Sequence, residues 1–216
     1  MVDVGQSYRQ AIILTAEHFG VTVTHNDISA IKSLGNANND WEVTLRLLSD
    51  KSQKVPTLEE VTKVFEDFYQ GTPSRPGLWE RETILINKKL LDDMSKRFPL
   101  AIVTGRPRLD AVRLLEKNDL AKYFKAVVCM EDAAKKPDPA PVRLALEKLG
   151  LSSGRKTVMI GDTPDDALAA IGAGVVPIGI LAPGERTSKS TKFSLVKSGV
   201  AKIIDDLEEL RSLCHL

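Results

Sequence analysis

Downstream of Gly77, short β-branched apolar runs alternate with stretches of helical periodicity, and this alternation restricts the possible folds more than any other feature. The runs are 100–104, 126–130, 157–160, 175–180 and 201–204. Between them, apolar residues recur at helical spacing over Ile84, Leu85, Leu90, Leu91 and Met94, over Ala111, Val112, Leu114 and Leu115, over 142–149, and over Ala167, Leu168 and Ile171. A last helix follows Ile204. Strands and helices of these lengths in alternation imply right-handed βαβ units and a mostly parallel sheet. The segment 184–192, rich in Gly, Ser and Lys, reads as a solvated loop.

Upstream the pattern is different. Ser7 opens a helix over Ala11, Ile12, Leu14, Thr15 and Phe19 that runs to Gly20, and Asn26 or Asp27 caps a second over Ile28, Ile31 and Leu34. Asn38 to Asp40 starts a third over Trp41, Val43, Leu45 and Leu48. Thr57 starts a fourth over Val61, Val64, Phe65 and Phe68, with TLEE as a capping box. No strand is legible between Ser7 and Gln70, so the segment is all-helical. The Gly/Pro-rich stretch GTPSRPG, 71–77, is the candidate boundary with the alternating part.

Chemistry collects where the runs end. The third run passes through Gly161 into a turn with Asp162, Asp165 and Asp166, followed by a helix that Gly172 and Gly174 stop. Three carboxylates within five residues fit Mg²⁺, a hard ion that takes oxygen ligands and usually one or two protein carboxylates. They fit equally a helix start in which Asp162 and Thr163 cap and Asp165 and Asp166 complement the dipole. The first run ends in Thr104, Gly105 and Arg106. A hydroxyl at Thr104, with backbone N–H groups freed by Gly105, can bind a phosphoryl oxygen as a helix begins after Pro107. After the second run come Glu131, Asp132 and KKPDP, in which Pro137 restricts the backbone beside Lys136 and aims its ammonium. Three strand ends on one sheet edge make a site more probable than any one of them.

Composition narrows the choice. Lys and Arg number 30 against 29 Asp and Glu, which gives no electrostatic footprint for nucleic acid or an anionic membrane. No run approaches the roughly 18 apolar residues of a membrane span, and the N-terminus shows no secretory pattern. Cys129 and Cys214 lack pairing or metal-ligand spacing, which fits a reducing compartment, and His18, His25 and His215 form no zinc motif. The expectation is a soluble, cytoplasmic protein of unspecified oligomeric state, with neither nucleic-acid nor membrane partners. A dinucleotide site is disfavoured, since the only close glycines, Gly172 and Gly174, follow a helix instead of a first strand.

IVTG, KKPDP and GDTPDD, in this order along nearly the whole chain, resemble the second, third and fourth motifs of the haloacid dehalogenase-like hydrolases that carry a helical cap. The resemblance implies a three-layer, Rossmann-like, mostly parallel core with an inserted all-helical cap subdomain. Residues 1–7 would be a remnant of the core's start, 8–72 the cap and 73–216 the core. By position, Thr104 would hold the phosphoryl group with Gly105 and Arg106 beside it. Lys136 would stabilise its charge, Asp162 and Asp166 would bind or orient Mg²⁺, and Asp165 would stay outside the ligand set. The implied reaction is hydrolysis of a small phosphorylated metabolite through an aspartyl-phosphate.

The first motif, DxDGT or similar, which supplies the nucleophile and the general acid/base, is not found. Asp3 is a displaced nucleophile in one alignment. In the other, favoured because SYRQAI starts a helix at the right distance, it is a later aspartate of the same region. The nucleophile and its strand would then lie upstream of Met1, and a sheet without that central strand would leave backbone groups unpaired between the strands ending at Thr104 and Ile160. The chain would turn over phosphate esters poorly, or be a catalytically dead relative that binds a phosphorylated ligand or a partner protein.

Overall fold

The structure, a computed structural model, describes residues 2–154 and 156–215; Met1, Arg155 and Leu216, which the ranges expected above include, lie outside the described residues. By internal contact the chain divides into two units, Val2–Thr83 and Ile84–Leu216.

In the first unit β1 (Val2–Asp3) leads into four helices, α1 (Tyr8–His18), α2 (His25–Ser33), α3 (Asp40–Lys51) and α4 (Leu58–Tyr69). Their inward residues, among them Ile12, Ile28, Leu48 and Phe65, form one apolar cluster. Asn39 caps α3 by accepting from Trp41 and Glu42, and the capping box of Thr57 and Glu60 opens α4, both as the sequence suggests. Two expectations fail. The second helix is capped by Thr24, whose box partner is Asp27, because a threonine three residues ahead of an aspartate satisfies two orphan N–H groups where Asn26 would satisfy one. Ser7 stands at the N-cap of α1 but makes no capping bond; its hydroxyl donates to Glu82.

GTPSRPG folds as a tight antiparallel hairpin of β2 (Gly71–Thr72) and β3 (Arg75–Pro76). Gly71 has φ +87, and a Cβ on it would stand 2.5 Å from the nitrogen of Gly77, so the turn requires glycine there. β4 (Thr83–Ile84) follows.

The second unit supplies α5 (Lys88–Arg97), β5 (Ala101–Val103), α6 (Arg108–Lys117), β6 (Ala126–Val128), α7 (Ala140–Leu149) and β7 (Val158–Gly161). After these come α8 (Pro164–Gly172), β8 (Val176–Ile180), α9 (Lys189–Lys197), β9 (Lys202–Ile204) and α10 (Leu210–Leu213). Side chains alternate along the strands as the pleat demands. Ile102, Ile160, Ile178 and Ile204 join Leu90, Leu91 and Leu210 in one cluster, while Val103 and Met159 join Val142, Leu146, Ala169 and Ala170 in another. Helices thus cover both sides of parallel strands, the three-layer α/β arrangement expected. The helix expected from Ile84 starts only at Lys88, where Asn87 caps it. The loop expected over 184–192 contains the first residues of α9, capped by Ser188.

The parallel strands form two pieces, β5–β6 and β7–β8–β9. Among the described residues, each of β5 and β7 therefore has one edge without a strand. Thr104 N–H bonds to β6, and Val176 N–H bonds to the carbonyl of Thr157. By alternation Ala101 and Val103 of β5, and Val158 and Ile160 of β7, turn their backbone groups to the unpaired edges. These two strands are only partly buried, whereas β8 is largely buried. In a complete α/β sheet the interior strands are the most buried. Among the described residues, the second edges of β5 and β7 pair with no strand.

Candidate active site

Lys136 and Asp166 are the centre of the second unit's chemistry. Both are 6% exposed, and Lys136 Nζ lies 2.5 Å from Asp166 Oδ1. The ammonium also reaches the carbonyl of Val103 at 3.4 Å, so it joins the end of β5 to the start of α8. An ammonium has three donors, and these two contacts leave one. Lys136 precedes Pro137 through a cis peptide bond.

Asp166 is held from both sides. Its Oδ2 accepts from the backbone of Asp162 and Thr163 at 3.2 Å each and from the Thr163 hydroxyl at 2.8 Å. Thr163 in return caps α8 by accepting from the Asp166 N–H. Burial pushes the Asp166 carboxyl up, but the Lys136 charge and the hydrogen bonds from Lys136 and Thr163 outweigh it and hold the group below the usual carboxylate range. The turn can close this tightly because residue 161 is glycine: a Cβ there would stand 2.2 Å from Asp166 Cβ.

Of the expected ligand pair, then, only Asp162 offers an exposed carboxylate, while both oxygens of Asp166 are engaged within the protein. Asp165 is buried. Among the described residues no cluster of three acidic, His or Cys side chains could hold a metal. The donor set as it stands does not fit a complete Mg²⁺ site, which needs several oxygens around the ion.

Thr104 follows β5, and its Oγ1 accepts the Arg106 N–H at 3.2 Å, leaving the hydroxyl proton free to donate. Gly105 N–H has no partner among the described residues. The first N–H of α6, on Arg108, is already taken by the two Glu131 oxygens at 3.0 and 3.1 Å, and the Arg108 guanidinium pairs with Asp132. Anion binding at this helix start falls to Thr104 and Gly105, one turn earlier than the helix itself. Glu131 was visible beside Asp132 in the sequence, but nothing local reveals that it folds back on Arg108. Arg106 is half-buried, and its carbonyl accepts from Met130. Asp3, in the first unit, spends Oδ1 on the Gly5 N–H at 2.8 Å, an ordinary turn closure.

A family model described as haloacid dehalogenase-like hydrolase matches residues 9–180. An imidazoleglycerol-phosphate dehydratase of Phytophthora nicotianae is 43% identical over 212 residues, 96% of this chain and 46% of that protein. A phosphoglycolate phosphatase of Escherichia coli is 37% identical over 87 residues, 40% of this chain and 34% of its own. The chain thus spans less than half the length of these curated relatives. A haloacid dehalogenase-like hydrolase of Streptococcus pneumoniae superposes with a TM-score of 0.76 at 18% identity, covering 99% of this chain and 93% of that one, which is a likeness of fold. No helix among the described residues is long and apolar enough to cross a membrane.

Proposed function

Because the chain belongs to the haloacid dehalogenase-like hydrolases, we propose that it carries the phosphate-handling half of a phosphomonoester hydrolase. One observation supports this above the rest: Lys136, buried and anchored by Asp166, keeps a donor free at the strand ends that also carry Thr104. A phosphoryl group there would take hydrogen bonds from the Thr104 hydroxyl and the Gly105 N–H, with its charge offset by Lys136. Asp162 is the residue that would face a Mg²⁺ ion, whose chemistry would be to draw charge off the transferring phosphoryl oxygens. Asp166 acts through Lys136. Arg106 lies near enough in sequence to add a substrate contact, and the helical unit, proposed as the cap over 8–72, would choose the leaving group.

In the family's reaction a carboxylate attacks phosphorus, the ester P–O bond breaks, the leaving alkoxide takes a proton, and water then releases inorganic phosphate from the acyl phosphate. None of Thr104, Lys136, Asp162 or Asp166 fills the attacking role. A strand entering between β5 and β7 would deliver a carboxylate to this edge, so we propose that turnover needs such a strand and that the 216 residues alone bind phosphate with little hydrolysis. A cytoplasmic location is proposed with it, supported by the two unpaired cysteines.

The test compares the chain with a form extended at its N-terminus by a β-branched strand ending in DxDGT. The substrate panel follows the relatives' names: phosphoglycolate and an imidazole-bearing three-carbon phosphomonoester. Expected are Mg²⁺-dependent phosphate release by the extended form only, and inorganic phosphate binding by both forms that falls about tenfold in Thr104→Val, the loss of one charge-assisted hydrogen bond. Rapid turnover by the 216 residues that is lost in Asp3→Asn would instead make Asp3 the nucleophile. Phosphate binding without turnover by the extended form would favour a ligand-binding relative.

A further inference from the structure

We propose that the outer face of α8 and α9 is a docking surface for an acidic amphipathic helix of a partner protein. This goes beyond the phosphate chemistry and does not depend on it. Leu168 and Ile171 on α8 are 45% and 47% exposed, and Phe193 and Val196 on α9 are 68% and 63% exposed. Within each helix the two residues are three apart, so each pair forms a short apolar ridge. The ridges adjoin. The helices pack on each other, a Cβ on Gly199 just past α9 would stand 3.1 Å from Ile171 Cδ1, and the Gly199 N–H bonds to the Val196 carbonyl.

The inward side of α9 is already supplied by Thr191 and Leu195, both buried. Phe193 and Val196 add nothing to that packing and expose apolar surface at a cost the fold does not require. Two adjoining apolar ridges are the footprint that the apolar stripe of a third helix covers.

Charge selects the occupant. Lys189, Lys192 and Lys197 share the outward face of α9 with Phe193 and Val196, at spacings of three, four, seven and eight residues. None of the three lysines joins an ion pair among the described residues. From Arg186 to Ile204 there are five basic residues and no acidic one. A second copy of the chain on this face would set one basic rim against another, which like-charge repulsion opposes. A partner helix with leucines on one stripe and glutamates beside it meets both the apolar ridges and the lysines.

The probes are two synthetic helices of about 18 residues with one leucine stripe, flanked in one by Glu and in the other by Lys, titrated against the full chain. Expected is saturable one-to-one binding of the Glu-flanked helix, at least about tenfold tighter than the Lys-flanked one and weakened as salt rises from about 50 to 500 mM. Amide exchange should slow over residues 164–199 on binding. Phe193→Ser with Val196→Ser should abolish binding while thermal unfolding stays unchanged, and Lys192→Glu with Lys197→Glu should reverse the preference between the helices. Equal affinity for both helices, binding indifferent to these substitutions, or self-association through this face would each overturn the proposal. So would capture by phosphatidylserine vesicles without a preference for the Glu-flanked helix.

Discussion

Lys136 and Asp166 are each indispensable to the other. A buried ion pair adds little net stability relative to an apolar pair of similar volume, but removing one member leaves an uncompensated charge. Lys136→Met should therefore cost about 3–5 kcal/mol in denaturant unfolding at neutral pH, and Lys136→Met with Asp166→Leu should recover most of it. Additive losses would mean that the pair is not coupled. The pH dependence has a definite sign. The folded-state value of Asp166 is depressed below the reference value of 3.8, so its contribution is fully present above that value and is lost as pH falls through the folded value. Asp166→Asn should lower stability at pH 7 and flatten the acid limb of the stability curve below about pH 4. Gly161→Ala would drive a Cβ into Asp166, and the resulting strain should cost about 1–3 kcal/mol or more and weaken phosphate binding through a displaced Lys136. At this scale the sequence was half legible. Thr104, Lys136 and the acidic turn stand out by type and order. That Asp166 would serve at once as capping-box partner and lysine anchor was not, because each reading alone accounts for the residues and only the fold brings Lys136, thirty positions away, against it.

Among elements, those read correctly declare themselves locally. Asn39 and Thr57 sit directly before strongly periodic helices, and the apolar runs have turn residues at both ends. α9 fails that test, since its buried positions are only Thr191 and Leu195 while Phe193 and Val196 face outward, so its apolar residues do not mark one inward face. The unpaired edges of β5 and β7 match an expectation that came with the first motif the resemblance implies and the sequence does not show, and they make a measurable difference within one sheet layer. Amides in β8 lie between two strands, whereas Val103 and Ile160 point to edges that no strand among the described residues covers. Hydrogen exchange should be fast at Ala101, Val103, Val158 and Ile160 and slow at Ile178 and Ile180, differing by the free energy of local against global opening. Protection at Val103 and Ile160 equal to that of β8 would show that the edges are closed by a partner in solution.

For the molecule as a whole, two cores of different completeness share one chain. The unit Val2–Thr83 closes its own apolar cluster with four helices, three of them capped by a side chain, while Ile84–Leu216 carries a sheet in two pieces. This imbalance was legible only as a break near Gly71 and an absent motif, because the energetic consequence depends on how the strands pair. It predicts that the second unit is limited by its open edges and responds to whatever fills them. A parallel strand between β5 and β7 would satisfy the outward N–H and C=O groups on both sides and cover strands that are now half-exposed. A free peptide of about six β-branched residues ending in aspartate, added at about 100 times its dissociation constant, should therefore raise unfolding free energy by about 2.7 kcal/mol. The same strand fused in frame should exceed that value, because tethering raises its effective concentration. Val103→Pro would leave the β5–β6 pairing in place yet remove the N–H that faces the open edge. It should abolish the peptide's effect while sparing most of the protein's own stability. If the Val103→Pro protein is stabilised by the peptide as much as the parent, the strand enters elsewhere and the two open edges have no common occupant.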